Sequence, residues 1–401
     1  MKRLLSLLAV LAAITGVRAA DLPGLVNGNP PDMHTLKSGD AAPDFTLIGT
    51  DGKMHKLAEY TGGEALVVLF TSNHCPTSHS IERRLQRFYE EYKAKGVKLV
   101  AINPNHPDGL SKDELGYGEF GDSYEEMKPY AEKNKWTFDY LYDGDKQAIA
   151  RAYGCLATPH VFVFDKNLKL RYQGRFDDSR FYDDSTVKSK DCQNAVDAIL
   201  AGKPVALELT KPMGCSTKWR EKKVMHDAKH EAWAKTPVTV ELIDKAGIAK
   251  LRANTTNKYR VINVWATWCA PCVKEFPDLV EISRKFDMRD FEFISISLDK
   301  PEDKAKAEAF LFKHAAGLSK KVENSLKAEH RTTNSYLFAG SGDDLAAVLD
   351  KDMAGPIPHT IVVAPGGEIV YRHTGIIDLA ETENAILDKM NRFYSPTAAK
   401  K

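Results

Sequence analysis

Six cysteines stand in the 401-residue chain: Cys75, Cys155, Cys192, Cys215, Cys269 and Cys272. The last two are separated only by Ala270 and Pro271, in the run VINVWATWCAPCVKEFP at 261–277. Thiol–disulfide exchange needs one thiolate to attack and a second thiol to resolve the mixed disulfide. A C-x-x-C at the start of a helix supplies both. Cys269 would sit where unpaired backbone N–H groups and the helix dipole favour its anion. Cys272 lies one turn inward. Pro271 fits the first helical turn, and Trp268 would lay aromatic surface over the site. The plain alternatives are an inert disulfide or half of a zinc site, but no second ligand pair follows at zinc-site spacing.

A second cysteine occupies a similar place. FTSNHCPTS, residues 70–78, follows the apolar run ALVVL. Aligned on the last cysteine of each motif, Ser72-Asn73-His74-Cys75 lies over Cys269-Ala270-Pro271-Cys272. Cys75 then takes the second position of a C-x-x-C whose first cysteine is Ser72.

The elements that must position these cysteines repeat. After Cys75, Ile81, Leu85, Phe88, Tyr89 and Tyr92 recur at helical spacing, and Gly96 suits a helix end. VKLVAINPN at 97–105 reads as a buried strand. After Cys272, Phe276, Leu279, Val280, Ile282 and Phe286 suit a helix, followed by the strand FEFISISLD at 291–299. Each half then has a proline entering a strand pair, Pro159 and Pro358, with hairpin turns at 165–167 and 365–367. Each closes with an amphipathic helix, near 193–202 and 379–393. The expected fold is α/β: two tandem thioredoxin-like domains, each a central mixed sheet flanked by helices. They are expected at 38–203 and 236–395, joined by a charged connector at 204–235 whose Lys/Glu-rich part reads as a solvated helix face.

On WCAPC followed by KEFP, the C-terminal half resembles the TlpA-like thiol:disulfide oxidoreductases. On APDFTL at 42–47, the following DGK and the Cys-Pro segment, the N-terminal half resembles the redoxin (AhpC/TSA-like) branch of the thioredoxin superfamily. The first resemblance implies Cys269 as nucleophile and Cys272 as resolver. It places Glu275 beneath the site, able to accept or relay the Cys272 proton. It implies a cis Pro358 facing the cysteines, leaving the Ile357 backbone free to pair with a bound peptide. Asn263 stands where thioredoxin carries a buried aspartate.

For the N-terminal site three readings stay open. In the first, Cys75 attacks a peroxide, with Ser72 standing for the threonine of the peroxiredoxin T-x-x-C, although Val68 replaces that motif's proline and no arginine can be assigned. In the second it pairs with Cys155, four residues before Pro159. In the third it is an inert buried thiol. Cys192 and Cys215 would then form a structural disulfide, unless Cys215 resolves Cys75. His74 and His79 flank Cys75, and His226 and His230 lie one turn apart; all four read as solvent-facing polar residues, and no metal or other cofactor is expected.

The chain opens MKRLLSLLAVLAAITGVRA, a basic start, an apolar core and small residues, the layout of a cleavable export leader over 1–19. Losing Lys2, Arg3 and Arg18 takes three positive charges from a net +1 and leaves −2. That charge gives no case for nucleic acid. The expected place is periplasmic or secreted, without stable membrane insertion after cleavage. The expected function is an exported thiol:disulfide oxidoreductase with an accessory redoxin domain. Its partners would be disulfide-containing exported proteins and a membrane or periplasmic electron donor. Two rivals are a thiol peroxidase with antioxidant activity, whose Cys75 is recycled by the C-terminal dithiol, and a non-enzymatic metal- or client-binding protein.

Overall fold

The structure, a computed structural model, describes residues 24–353 and 355–394. The expected leader at 1–19 lies outside the described residues. No described helix is long and apolar enough to cross a membrane.

The first sheet has seven strands: β1 (Thr46–Gly49), β2 (Met54–Lys56), β3 (Ala65–Phe70), β4 (Val97–Asn103), β5 (Asp139–Tyr142), β7 (His160–Asp165) and β8 (Leu170–Gly174). A separate two-stranded ribbon pairs β6 (Ala157–Thr158) with β9 (Cys215–Ser216). The second sheet has six strands: β10 (Val240–Ile243), β11 (Tyr259–Trp265), β12 (Phe291–Ser297), β13 (Ser335–Phe338), β14 (His359–Val363) and β15 (Ile369–Thr374). Their orders are β2-β1-β5-β4-β3-β7-β8 and β10-β13-β12-β11-β14-β15. In each, a central strand pairs parallel on one side and antiparallel on the other: β3 between β4 and β7, β11 between β12 and β14.

β3 is apolar throughout, and β11 is apolar but for Tyr259, Arg260 and Asn263, because both sheet faces are covered. Val67 and Leu69 face the core under α1 (Pro76–Tyr92), α2 (Tyr124–Lys133) and α4 (Asp191–Leu200). Leu66, Val68 and Phe70 face the core under α3 (Ala148–Tyr153). In the second domain, Val261 and Trp265 pack towards α7 (Ala270–Lys285), α8 (Lys304–Lys313) and α11 (Leu379–Met390). Ile262 and Val264 pack towards α6 (Lys245–Ala253) and α10 (Gly342–Leu349). The expected two-domain thioredoxin-like α/β architecture is what the chain forms.

The connector departs from expectation. Its first part folds back onto the first domain, and the start of the stretch read as a solvated face, Lys218–Lys222, is largely buried. Thr210 N–H donates to the Gln173 carbonyl at 3.0 Å, along the edge of β8. Thr217, Lys218 and Trp219 are buried, Trp219 among the core residues that include Leu25 and Leu36. Only α5 (Lys223–Ala234) is the polar surface helix that the Lys/Glu-rich stretch suggested, with no buried residue. Backbone pairing holds the earlier segment, and such pairing leaves no apolar period in a sequence.

Candidate functional site

Cys269 is the N-cap of α7, and Cys272 is wholly buried one turn in. They form a disulfide with Cα atoms 5.3 Å apart. The Cys272 N–H points at the Cys269 sulfur, 3.3 Å away, so the helix terminus offers a donor to any charge that develops there. The same sulfur lies 3.6 Å from the Ile357 carbonyl oxygen, and the Ile357–Pro358 peptide bond is cis. Trp268, next to Cys269 in the chain, is 65% exposed.

Glu275 is buried beneath the pair. Its Oε2 accepts from Ile377 N–H at 3.0 Å and its Oε1 from Asn263 Nδ2 at 2.9 Å. Burial raises its pKa to about 7, against the pull of those two donors. A carboxyl poised near neutrality can take a proton and return it.

The sheet pairing fixes which residues of the two halves correspond. Phe70 pairs with His160 and Val264 with His359, each histidine directly after a cis proline, Pro159 or Pro358. Phe70 thus corresponds to Val264, and five residues on Cys75 corresponds to Cys269. Three further observations agree. Cys75 is the N-cap of α1. Its sulfur lies 3.0 Å from the Thr158 carbonyl before the cis proline. Two residues earlier, Asn73 N–H donates to Asp122 at 2.8 Å, as Thr267 N–H donates to Asp299 at 2.9 Å. This corrects the alignment on last cysteines. Cys75 holds the nucleophile's position, and Ser78 stands where Cys272 would be. Ser72 is not in the motif; its Oγ shares a 2.8 Å hydrogen bond with Thr158 Oγ1. The apolar face of the helix carried this register: Leu85, Phe88 and Tyr92 fall over Leu279, Ile282 and Phe286, all buried.

The surroundings of Cys75 also differ from expectation. Cys155 and Cys192 are free, buried thiols in the cores on opposite faces of the sheet. Cys155 donates to the Ala157 carbonyl at 3.4 Å, and burial pushes its thiol up to about 12. Burial raises Cys192 also. Neither proposed pairing, Cys75–Cys155 or Cys192–Cys215, is present. The side chain beside Cys75 is Cys215, because β9 pairs with β6 and sets Cys215 opposite Thr158. Cys215 N–H points at the Cys75 sulfur from 3.4 Å.

Burial opposes ionisation of Cys75. The Cys215 side chain, the charge of the His74 ring and the N–H groups of Ser78 and Cys215 outweigh it and hold the thiol well below its ordinary range. Cys215 is driven the other way, by the Cys75 side chain and then by burial. His74 and His79 are buried, not solvent-facing. His74 Nδ1 lies 2.5 Å from Asp122 Oδ2, a carboxylate that also accepts from Asn105 Nδ2 at 2.7 Å. Asp122 and Lys218 lie far from Cys75 in sequence, and only His74, its immediate neighbour, could have been noticed there. Among the described residues, no group of three or more His, Cys, Asp or Glu side chains converges to hold a metal ion.

Comparison with known families matches AhpC/TSA twice, at residues 38–173 and at 237–372. The chain belongs to the AhpC/TSA family. This AhpC/TSA protein is 27% identical over 133 residues to the thiol-disulfide oxidoreductase ResA of Geobacillus thermodenitrificans, covering 33% of this chain and 66% of that protein. It is 29% identical over 115 residues to peroxiredoxin Bcp of Escherichia coli, covering 29% of this chain and 63% of that one. The chain thus spans just under two thirds of the length of either relative. Among solved structures, a hypothetical protein from Sinorhizobium meliloti is 33% identical with a TM-score of 0.42, over 47% of this chain and 97% of that one.

Proposed function

We propose that the protein is a thiol:disulfide oxidoreductase working through Cys269 and Cys272. The observation that carries this is the placement of Cys269: a helix N-cap, aimed at the carbonyl before Pro358, with its partner cysteine one turn below. In the reduced protein the Cys269 thiolate attacks a client disulfide and releases one client thiolate. Cys272 gives up its proton, for which Glu275 is the nearby acceptor, and displaces the second client thiol. The Cys269–Cys272 disulfide remains, and an external dithiol reduces it again. Exposed Trp268 offers apolar surface to the client beside the site.

The leader-like 1–19 segment supports an exported protein, periplasmic or secreted. Its clients would be disulfide-containing exported proteins, and its electrons would come from a membrane or periplasmic donor. The ResA relative supports the reaction class. The test is turnover of a disulfide-bonded protein such as insulin with dithiothreitol as reductant. Turnover should vanish in Cys269→Ser. Undiminished turnover in that variant would sink the reading.

A further inference from the structure

We propose that Cys75 and Cys215 form a second, discontinuous dithiol/disulfide centre, in which the connector supplies the resolving cysteine that the helix lacks. Cys75 stands in the nucleophile's position, and Ser78 occupies the resolver's place one turn below it. A thiolate there would have no partner within its own motif. The connector provides one from the other side of the site.

Gly214 shows how closely the connector is seated. A Cβ at that residue would lie 1.9 Å from the Thr158 carbonyl oxygen, so only glycine lets the strand reach the cis-proline loop. The next residue is Cys215. Its amide nitrogen is 3.4 Å from the Cys75 sulfur, and one N–Cα bond more puts its Cα within about 5 Å of that sulfur. A change of side-chain rotamer suffices to join the two. Lys218, buried three residues on and paired with Glu114, adds positive charge beside Cys215. Cys155 and Cys192 are held in separate cores and compete for neither thiol.

The oxidant is a disulfide of low molecular mass. Cys75 has no exposed surface and Cys215 is half-buried, so a small disulfide needs less opening of the site than a folded client would. The Cys75 thiolate attacks one sulfur of RSSR, forming Cys75–S–S–R and releasing RS⁻, which takes a proton. Cys215 loses its proton and displaces the second RS⁻, closing Cys75–Cys215. Two protein thiols have lost two electrons, and RSSR has become two RSH.

This centre does not depend on the C-terminal one, and a single experiment separates them. The full chain is equilibrated in mixtures of 2-mercaptoethanol and bis(2-hydroxyethyl) disulfide, quenched in acid, alkylated, digested and mapped by mass. A cross-linked Cys75–Cys215 peptide should rise along a two-electron curve while Cys155 and Cys192 remain thiols. Cys215→Ser should instead accumulate the mixed disulfide on Cys75. Separate alkylation of Cys75 and Cys215 at every potential would overturn the proposal, as would a link from Cys215 to Cys155 or Cys192. The Cys269–Cys272 peptide is read in the same digest, so failure of one centre is distinguishable from failure of the other.

Discussion

Glu275 carries the strongest pH signature of the C-terminal site. Its carboxyl moves from an ordinary 4.5 to about 7, so the folded chain holds this proton more tightly than the unfolded one. Stability should therefore fall as pH rises from about 4.5 to 7, by at most about 3 kcal/mol. Glu275→Gln should remove that slope, which chemical denaturation across pH would show. If Glu275 accepts the Cys272 proton, turnover should climb through pH 7, and the variant should lose the inflection and about 10–100-fold in rate. Glu275 was legible through the TlpA-like resemblance, which implies an acidic residue three positions after the second cysteine. Asp122, which orients His74 beside Cys75, was not: the two are 48 residues apart and meet only through folding.

The strands and helices decide which cysteine plays which part. The tandem arrangement could be read from apolar periodicity and from the repeated cysteine and proline positions. The register of the first motif could not be read from its cysteine alone. A slip of three residues nearly completes a helical turn, but aligning Cys75 on Cys272 would set Phe88 and Tyr92 over Lys285 and Arg289; the apolar face and the sheet pairing together choose the other register. The ribbon formed by β6 and β9 was invisible, being two residues long on each side and held by backbone. Gly214→Ala should push this ribbon off the cis-proline loop, costing about 1–3 kcal/mol. Thermal melting would measure the loss. In the same variant Cys215 should no longer be found cross-linked to Cys75 after oxidation.

Across the whole molecule α7 runs from the C-terminal thiol pair towards the first domain. Cys269 caps its N-terminus. The far end packs on the first domain, where a Cβ on Gly116 would lie 2.5 Å from the Lys285 carbonyl. Sixteen residues of helix separate Cys269 from Lys285, about 24 Å along the axis. Arg289 ties the two domains together: it donates to the Gly116 carbonyl at 2.5 Å and to the Asn391 carbonyl at 3.0 Å, and lies 3.9 Å from the Tyr117 ring centroid. The tail it holds runs over the first domain. His79 Nδ1 lies 2.8 Å from the Arg392 carbonyl, Phe393 stacks on Tyr182 at 4.4 Å, and Tyr394 packs on Tyr117 at 5.2 Å. The charges of Cys215 and Cys75 reach Tyr394 and, after burial, help raise its pKa. Tyr394→Ala should therefore open the N-terminal site. Iodoacetamide should label Cys75 about 10-fold faster or more, with labelling of reduced Cys269 unchanged. Mass-resolved alkylation kinetics would check both rates.

The most direct test of the central claim is a glutathione redox titration of the full chain, with the Cys269–Cys272 pair followed by alkylation and mass. The account predicts a reversible two-electron transition between dithiol and disulfide, with Cys269 alone forming a mixed disulfide with glutathione in Cys272→Ser. If Cys269 and Cys272 stay locked in one state across the whole range of potentials, the pair is structural, and the protein does not exchange disulfides there.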